Sequence, residues 1–319
     1  MWAKPRREIA NMSRTMVLAI CALLILFAGL PQTTEAQDAT DAAPSARDRS
    51  NFDRIPTRML RFQKRSAEKA VSTPGLTWRK PLVTVAFYGG SPETWRLVED
   101  AAKDWIAPGS PIAFSFRRDD GSWRRWSPND VFPASDIRVG FETGASEGGF
   151  WSVIGEQARE VHAWSQTMNL HDFDETLSLF HGRSGDPEWV RSWERGTIVH
   201  EFGHALALSH EHFHPDCQRD LDIAAAAARL VESNGWEMEQ ARYQVDAYAY
   251  FASFGALFNP RFSRKIDQAS IMLYPDLALD ARSGTSSACA VSLPDGSDVP
   301  YAISKGDRDV MATLYPTKL

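Results

Sequence analysis

Five of the eight histidines fall between residues 200 and 214, and two of them bracket a glutamate in the string His200-Glu201-Phe202-Gly203-His204. On a helix, residues four apart are separated by about 6 Å of rise and about 40° of rotation, so His200 and His204 project side by side. Two imidazole nitrogens placed this way can close on one ion at about 2.0–2.1 Å each. Glu201 is turned about 100° from His200, beside such an ion rather than on it, where it can take a proton from a water molecule. His210 is ten residues beyond His200, about 15 Å along a continuous helix, so the helix must end soon after His204 for it to join. With that reversal, three neutral imidazoles hold zinc and leave a fourth position open, as in hydrolytic rather than structural sites. A chance His-Glu-x-x-His arises about once in a hundred chains of this composition. His212 and His214, or a glutamate of the following helix such as Glu232, are the other candidates for the third ligand.

The elements that must position these residues are legible in outline. Leu82 to Tyr88 form a β-rich run closed by Gly89-Gly90, and residues 112–116, 137–141 and 167–170 read as further strands. Residues 93–106 place Trp95, Val98, Ala102 and Trp105 or Ile106 at helical spacing ahead of Pro108-Gly109. A long helix is expected over 191–208, a second helical block over 223–254 interrupted at Asn234-Gly235, and a last helix over 304–315 with Ser304 as its N-cap.

Composition narrows the class. A chain of 319 residues, 43% hydrophobic and 24% charged, can bury a substantial core and is neither disordered nor collagen-like. Its 35 basic and 41 acidic residues give no field to gather nucleic acid or an anionic membrane surface. Three cysteines exclude a cysteine-rich zinc ribbon. The N-terminus has the form of a signal peptide: Lys4, Arg6, Arg7 and Arg14 precede an apolar run from Met16 to Leu30, and the small residues Thr34 and Ala36 mark cleavage after residue 36. That run falls short of the roughly 20 residues of a spanning helix, so the mature protein is expected to be secreted or periplasmic, without stable membrane insertion. Removing residues 1–36 takes four basic and two acidic groups from 35 and 41, leaving 31 against 39, a net of −8. Residues 37–77, with Pro44, Pro56 and Pro74 as breakers, read as a linker or pro-segment, and 78–319 as the folded domain. Cys217 and Cys289 remain and are expected to pair in an oxidising compartment, which would stabilise the fold by roughly 4 kcal/mol in the chain-entropy model.

The string from His200 to His210 resembles the metzincin zinc-protease signature His-Glu-x-x-His-x-x-Gly-x-x-His, and Glu211 directly after it is similar to the astacin-type version. Ser270-Ile271-Met272-Leu273-Tyr274-Pro275 resembles the astacin Met-turn. Ile303 to Val310 with Leu314-Tyr315-Pro316 resembles the family's C-terminal helix, and Trp151-Ser152-Val153-Ile154-Gly155 and Thr167-Met168-Asn169-Leu170 resemble bacterial members. The resemblance runs from about Trp78 to the C-terminus. It implies an α+β metzincin fold: a twisted mixed five-stranded sheet, an active-site helix, a lower lobe of mostly helix and loop, and a C-terminal helix. It further implies one catalytic zinc on His200, His204 and His210, Glu201 as general base, Met272 as the floor beneath the ligands, and Tyr274 as a switchable ligand or oxyanion donor. Glu211 is expected to bond backbone or a basic side chain near the site. The implied activity is that of a monomeric endopeptidase acting on extended peptide or protein; the competing expectation is an exported zinc-binding protein with a vestigial site. The departure is Ala207, where the family pattern has Gly; an alanine can follow the same left-handed path at a cost of roughly 1–2 kcal/mol.

Overall fold

The computed structural model describes residues 76–317 apart from 144–148, 182, 184, 253–264 and 283–286. The leader read at 1–36 lies outside the described residues, as does the segment read at 37–77 except its last two. No helix among the described residues is long and apolar enough to cross a membrane.

Five strands, Leu82–Phe87 (β1), Ala113–Ser115 (β2), Ile137–Gly140 (β3), Trp151–Ser152 (β4) and Met168–Asn169 (β5), form one mixed sheet in the order β2-β1-β3-β5-β4. β1 pairs in parallel with both β2 and β3, setting Leu82 opposite Ala113 and Val85 opposite Ile137. β5 continues the parallel set beside β3, and β4 closes the sheet antiparallel to β5. Val85, Ala86, Phe87 and all of β3 are buried, the continuous burial of strands covered on both faces. Four of the five strands coincide with apolar runs in the sequence. The two residues of β4 are too few to display alternation, and the register of β5 alone defines them as a strand.

Two helices carry the core of this half. In Pro92–Ala102 (α1), Ser91 caps the first turn by accepting from the Thr94 amide at 3.2 Å, and Trp95, Leu97, Val98, Ala101 and Ala102 are buried. It stops at Ala102 rather than 106, tightening into a 3₁₀ turn over Lys103–Trp105. Trp193–Ala205 (α2) starts two residues later than its periodicity suggests, because Ser192 is extended and caps the helix by accepting from the Arg195 amide at 3.1 Å. The two helices are fastened by a bidentate Arg195–Asp104 pair at 2.7 and 2.9 Å and by Trp105 Nε1 donating to the Val199 carbonyl at 2.8 Å.

The C-terminal lobe is helix and loop. The interruption read at Asn234-Gly235 separates Ile223–Asn234 (α3) from Met238–Val245 (α4), with Gly235 left-handed at φ 64°. A short helix, Ala247–Ala252, follows, and Lys305–Leu314 (α5) opens with a capping box between Ser304 and Asp307. Cys217 and Cys289 form a disulfide with Cα atoms 4.9 Å apart, packed among Leu221, Ala226, Ala227, Leu230 and Leu277.

A cation inside the sheet aligns the last two strands. Arg138, fully buried on β3, donates to the carbonyls of Ser135, Val161, His162 and Ser165 at 2.7–3.2 Å. Burial lowers its guanidinium to about 10 against the opposing pull of Asp130 and Asp136, so the charge is retained at neutral pH and fixes the loop that enters β5.

Candidate active site

From Arg195 to Ala205 every residue of α2 is buried, so His200, Glu201 and His204 are held in a helix enclosed on all sides. Two backbone carbonyls orient the rings: His200 Nδ1 lies 2.7 Å from the Ile271 oxygen and His204 Nδ1 lies 2.9 Å from the Leu208 oxygen. A neutral imidazole bonded this way carries its proton on Nδ1 and turns the Nε2 lone pair the other way, the orientation of a metal ligand.

The reversal that brings in His210 begins at the end of α2. The Leu208 amide bonds the Gly203 carbonyl at 3.0 Å and the Ala207 amide bonds the His204 carbonyl at 2.8 Å. This is a Schellman closure with Ala207 in the left-handed position at φ 72°. The alanine therefore follows the path expected of glycine. Its methyl is fully buried with Leu76, Ile154, Phe213 and Tyr250, and that burial offsets part of the strain. His210 reaches the site: its Nε2 is 3.1 Å from His204 Nε2, and one ligand atom from each of His200, His204 and His210 lies within 4.8 Å of the others.

The Met-turn passes directly beneath. Met272 lies so close to α2 that a Cβ on Gly203 would meet its Sδ at 2.5 Å and Trp105 at 2.9 Å, so glycine is required inside the His-Glu-x-x-His string. The turn is anchored from α5: Asp307 accepts from Ser270 Oγ at 2.6 Å and from the Ile271 amide at 3.0 Å, while capping its own helix. In return, Ile271 orients His200, and the Met272 carbonyl accepts from the Glu211 amide at 2.9 Å. Glu211 Oε1 accepts from the Asp267 amide at 2.8 Å. Burial raises the Glu211 carboxyl to about 8, with Asp307 and Asp267 adding to the rise.

The remaining candidates are placed elsewhere. His212 is buried with Nε2 on the Gln244 carbonyl at 2.7 Å, its ring stacked on His210 with centroids 4.7 Å apart. His214 Nδ1 accepts from the Asp216 amide at 3.1 Å, and Glu232 is exposed on α3. Among the described residues the metal-competent group is His200, His204 and His210. Glu201 is fully buried, one residue along α2 from His200. Tyr274 is buried with its ring centroid 4.7 Å from that of His210, and its hydroxyl donates to Gln244 Oε1 at 3.1 Å. Gln244 and the stacked His212 carry no motif in the sequence. Gly203 and Asp307, by contrast, sit inside strings that could have flagged them.

The three nitrogens fit a zinc ion. Two Nε2 atoms at 3.1 Å are close to the roughly 3.3 Å that tetrahedral bonds of 2.0–2.1 Å impose, and with Nδ1–H of His204 committed to a carbonyl its Nε2 offers a lone pair to whatever lies between.

No protein-family model and no curated protein matches the chain. Solved structures do. One structure of myroilysin is 26% identical with a TM-score of 0.54, covering 78% of this chain and 99% of its own. A second myroilysin structure is 23% identical with a TM-score of 0.45, covering 79% and 93%. High choriolytic enzyme 1, a hatching enzyme zinc-protease from the medaka fish Oryzias latipes, is 17% identical with a TM-score of 0.41, covering 77% and 97%. The five-stranded sheet and the histidine triad over its Met-turn fit the astacin-like metzincin pattern, and over most of its length the chain is similar in fold to the first of these structures.

Proposed function

We propose that this protein is a secreted zinc endopeptidase in which Glu201 is the general base. The observation that carries the reading is the convergence of three buried imidazoles, two of them oriented by backbone carbonyls; Glu201 follows His200 on the same buried helix, which supports its role. Zinc bound there would supply Lewis acidity, activating water near neutral pH and polarising a peptide carbonyl. Glu201 takes the proton from the attacking water and returns it to the leaving amine, so one carboxylate serves both steps. The Tyr274 hydroxyl donates to the oxygen on which negative charge develops. An extended peptide adds to the sheet beside β4, the last strand on that side, and backbone bonds align the scissile carbonyl. Residues 1–36 direct export, and residues 37–77 precede the domain as a linker or pro-segment.

Ala207, the residue that raised the vestigial-site reading, closes α2 in the turn that brings in His210, which supports the catalytic reading. Cleavage of a mixed peptide library by the zinc-loaded mature chain, beside the Glu201→Gln variant, tests the reading. Cleavage by the parent alone is expected. Zinc binding without cleavage by either, before and after removal of residues 37–77, would overturn it.

A further inference from the structure

Gln244 holds two parts of the metal centre from one position on α4. Its backbone carbonyl accepts from His212 Nε2 at 2.7 Å, and the His212 ring lies on His210 at an interplanar angle of 18°. Its side-chain oxygen accepts the Tyr274 hydroxyl at 3.1 Å. The side chain is 1% exposed, yet its Nε2 has no hydrogen-bond partner among the described residues. A buried amide kept for the fold has both ends satisfied. Here the amide oxygen accepts from the tyrosine, and the two N–H donors of Nε2 are left over. The C-terminal end of α4 is fixed independently, since Gln218 donates to the Val245 and His212 carbonyls at 2.9 Å and accepts from the Ala247 amide at 3.0 Å. The Gln244 amide is therefore not needed to hold α4 in place.

We infer that Gln244 is a positioning residue that holds the Tyr274 hydroxyl between turnovers, so that the tyrosine is shared between the amide and the metal centre. The inference rests on the zinc-site reading above. A phenol has one proton to donate, so Tyr274 cannot bond Gln244 and a substrate oxyanion together. Each turnover then exchanges one acceptor for the other. Loss of the Gln244 acceptor frees the hydroxyl to move onto the metal, where it competes with the substrate carbonyl.

Copper(II) loaded in place of zinc reports this directly, because a coordinated phenolate gives a visible ligand-to-metal charge-transfer band. In Gln244→Met, which removes the acceptor and keeps the backbone bond to His212, the Tyr274-dependent band is expected to strengthen severalfold over the parent. The zinc form is expected to show a raised KM with little change in kcat. Gln244→Glu offers a stronger acceptor and is expected to weaken the band below the parent, so the inference stays testable should the Met variant fail to fold. Tyr274→Phe sets the zero. A band unchanged in Gln244→Met, or unweakened in Gln244→Glu, would overturn the role of Gln244. Glu201-dependent cleavage by the parent would still stand in that case, which separates the failure of this inference from the failure of the peptidase reading.

Discussion

His200 and His204 need only the pitch of α2 to stand side by side, whereas His210 arrives through a strained helix end, a backbone bond to the Met-turn and a stacked ring. The first pair is rigid because α2 is enclosed along its length and tied to the α1 end by Arg195 and Trp105. The third ligand depends on residues far away in sequence, notably Asp307 acting through Ser270 and Ile271. One half of the centre is thus held by local periodicity and the other by a few buried polar bonds. The two halves should fail differently.

The largest expected difference is in metal retention. His200→Ala or His204→Ala should abolish stoichiometric zinc, while His210→Ala should leave weakened but measurable binding on the helical pair, read by equilibrium dialysis against zinc. Next is Asp307→Ala. It leaves the Ser270 hydroxyl and the Ile271 and Ser304 amides without their acceptor in a buried place, so thermal unfolding should show a loss of about 2–4 kcal/mol together with weaker zinc binding. Ala207→Gly should have a smaller effect. Relief of about 1–2 kcal/mol of backbone strain is opposed by about 0.8 kcal/mol of lost methyl burial and about 0.4–1 kcal/mol of added unfolded-state entropy. Denaturant midpoints should therefore shift little and zinc affinity should be unchanged. A large gain in affinity would mean that the alanine distorts the path to His210.

A further effect concerns pH. The folded Glu211 carboxyl keeps its proton up to about 8, against an ordinary value of 4.5. Its contribution to stability is then complete below 4.5 and is lost as pH rises through 8. Glu211→Gln resembles the protonated acid, so its melting temperature should fall less than the parent's across that range. Parallel profiles would contradict the assignment.

How far the sequence discloses this site follows the same division. The string from His200 to His204, the capping residues Ser91 and Ser304 and the break at Gly235 were legible because each acts within a few residues of itself. The path of Ala207 was legible as a requirement, since His210 cannot reach the ligands without it. The bond from Gln244 to Tyr274, the stacking of His212 and the grip of Arg138 on the loop before β5 were not, because each joins segments whose proximity only the folded chain establishes. β4 was hidden for another reason: two residues carry no period, and its neighbour β5 defines it.

X-ray absorption of the zinc-loaded mature chain tests the central claim most directly. The account predicts three imidazole nitrogens at about 2.0–2.1 Å with oxygen completing the shell. Two imidazoles, which would leave His210 outside, or four, which would bring in His212, would contradict it.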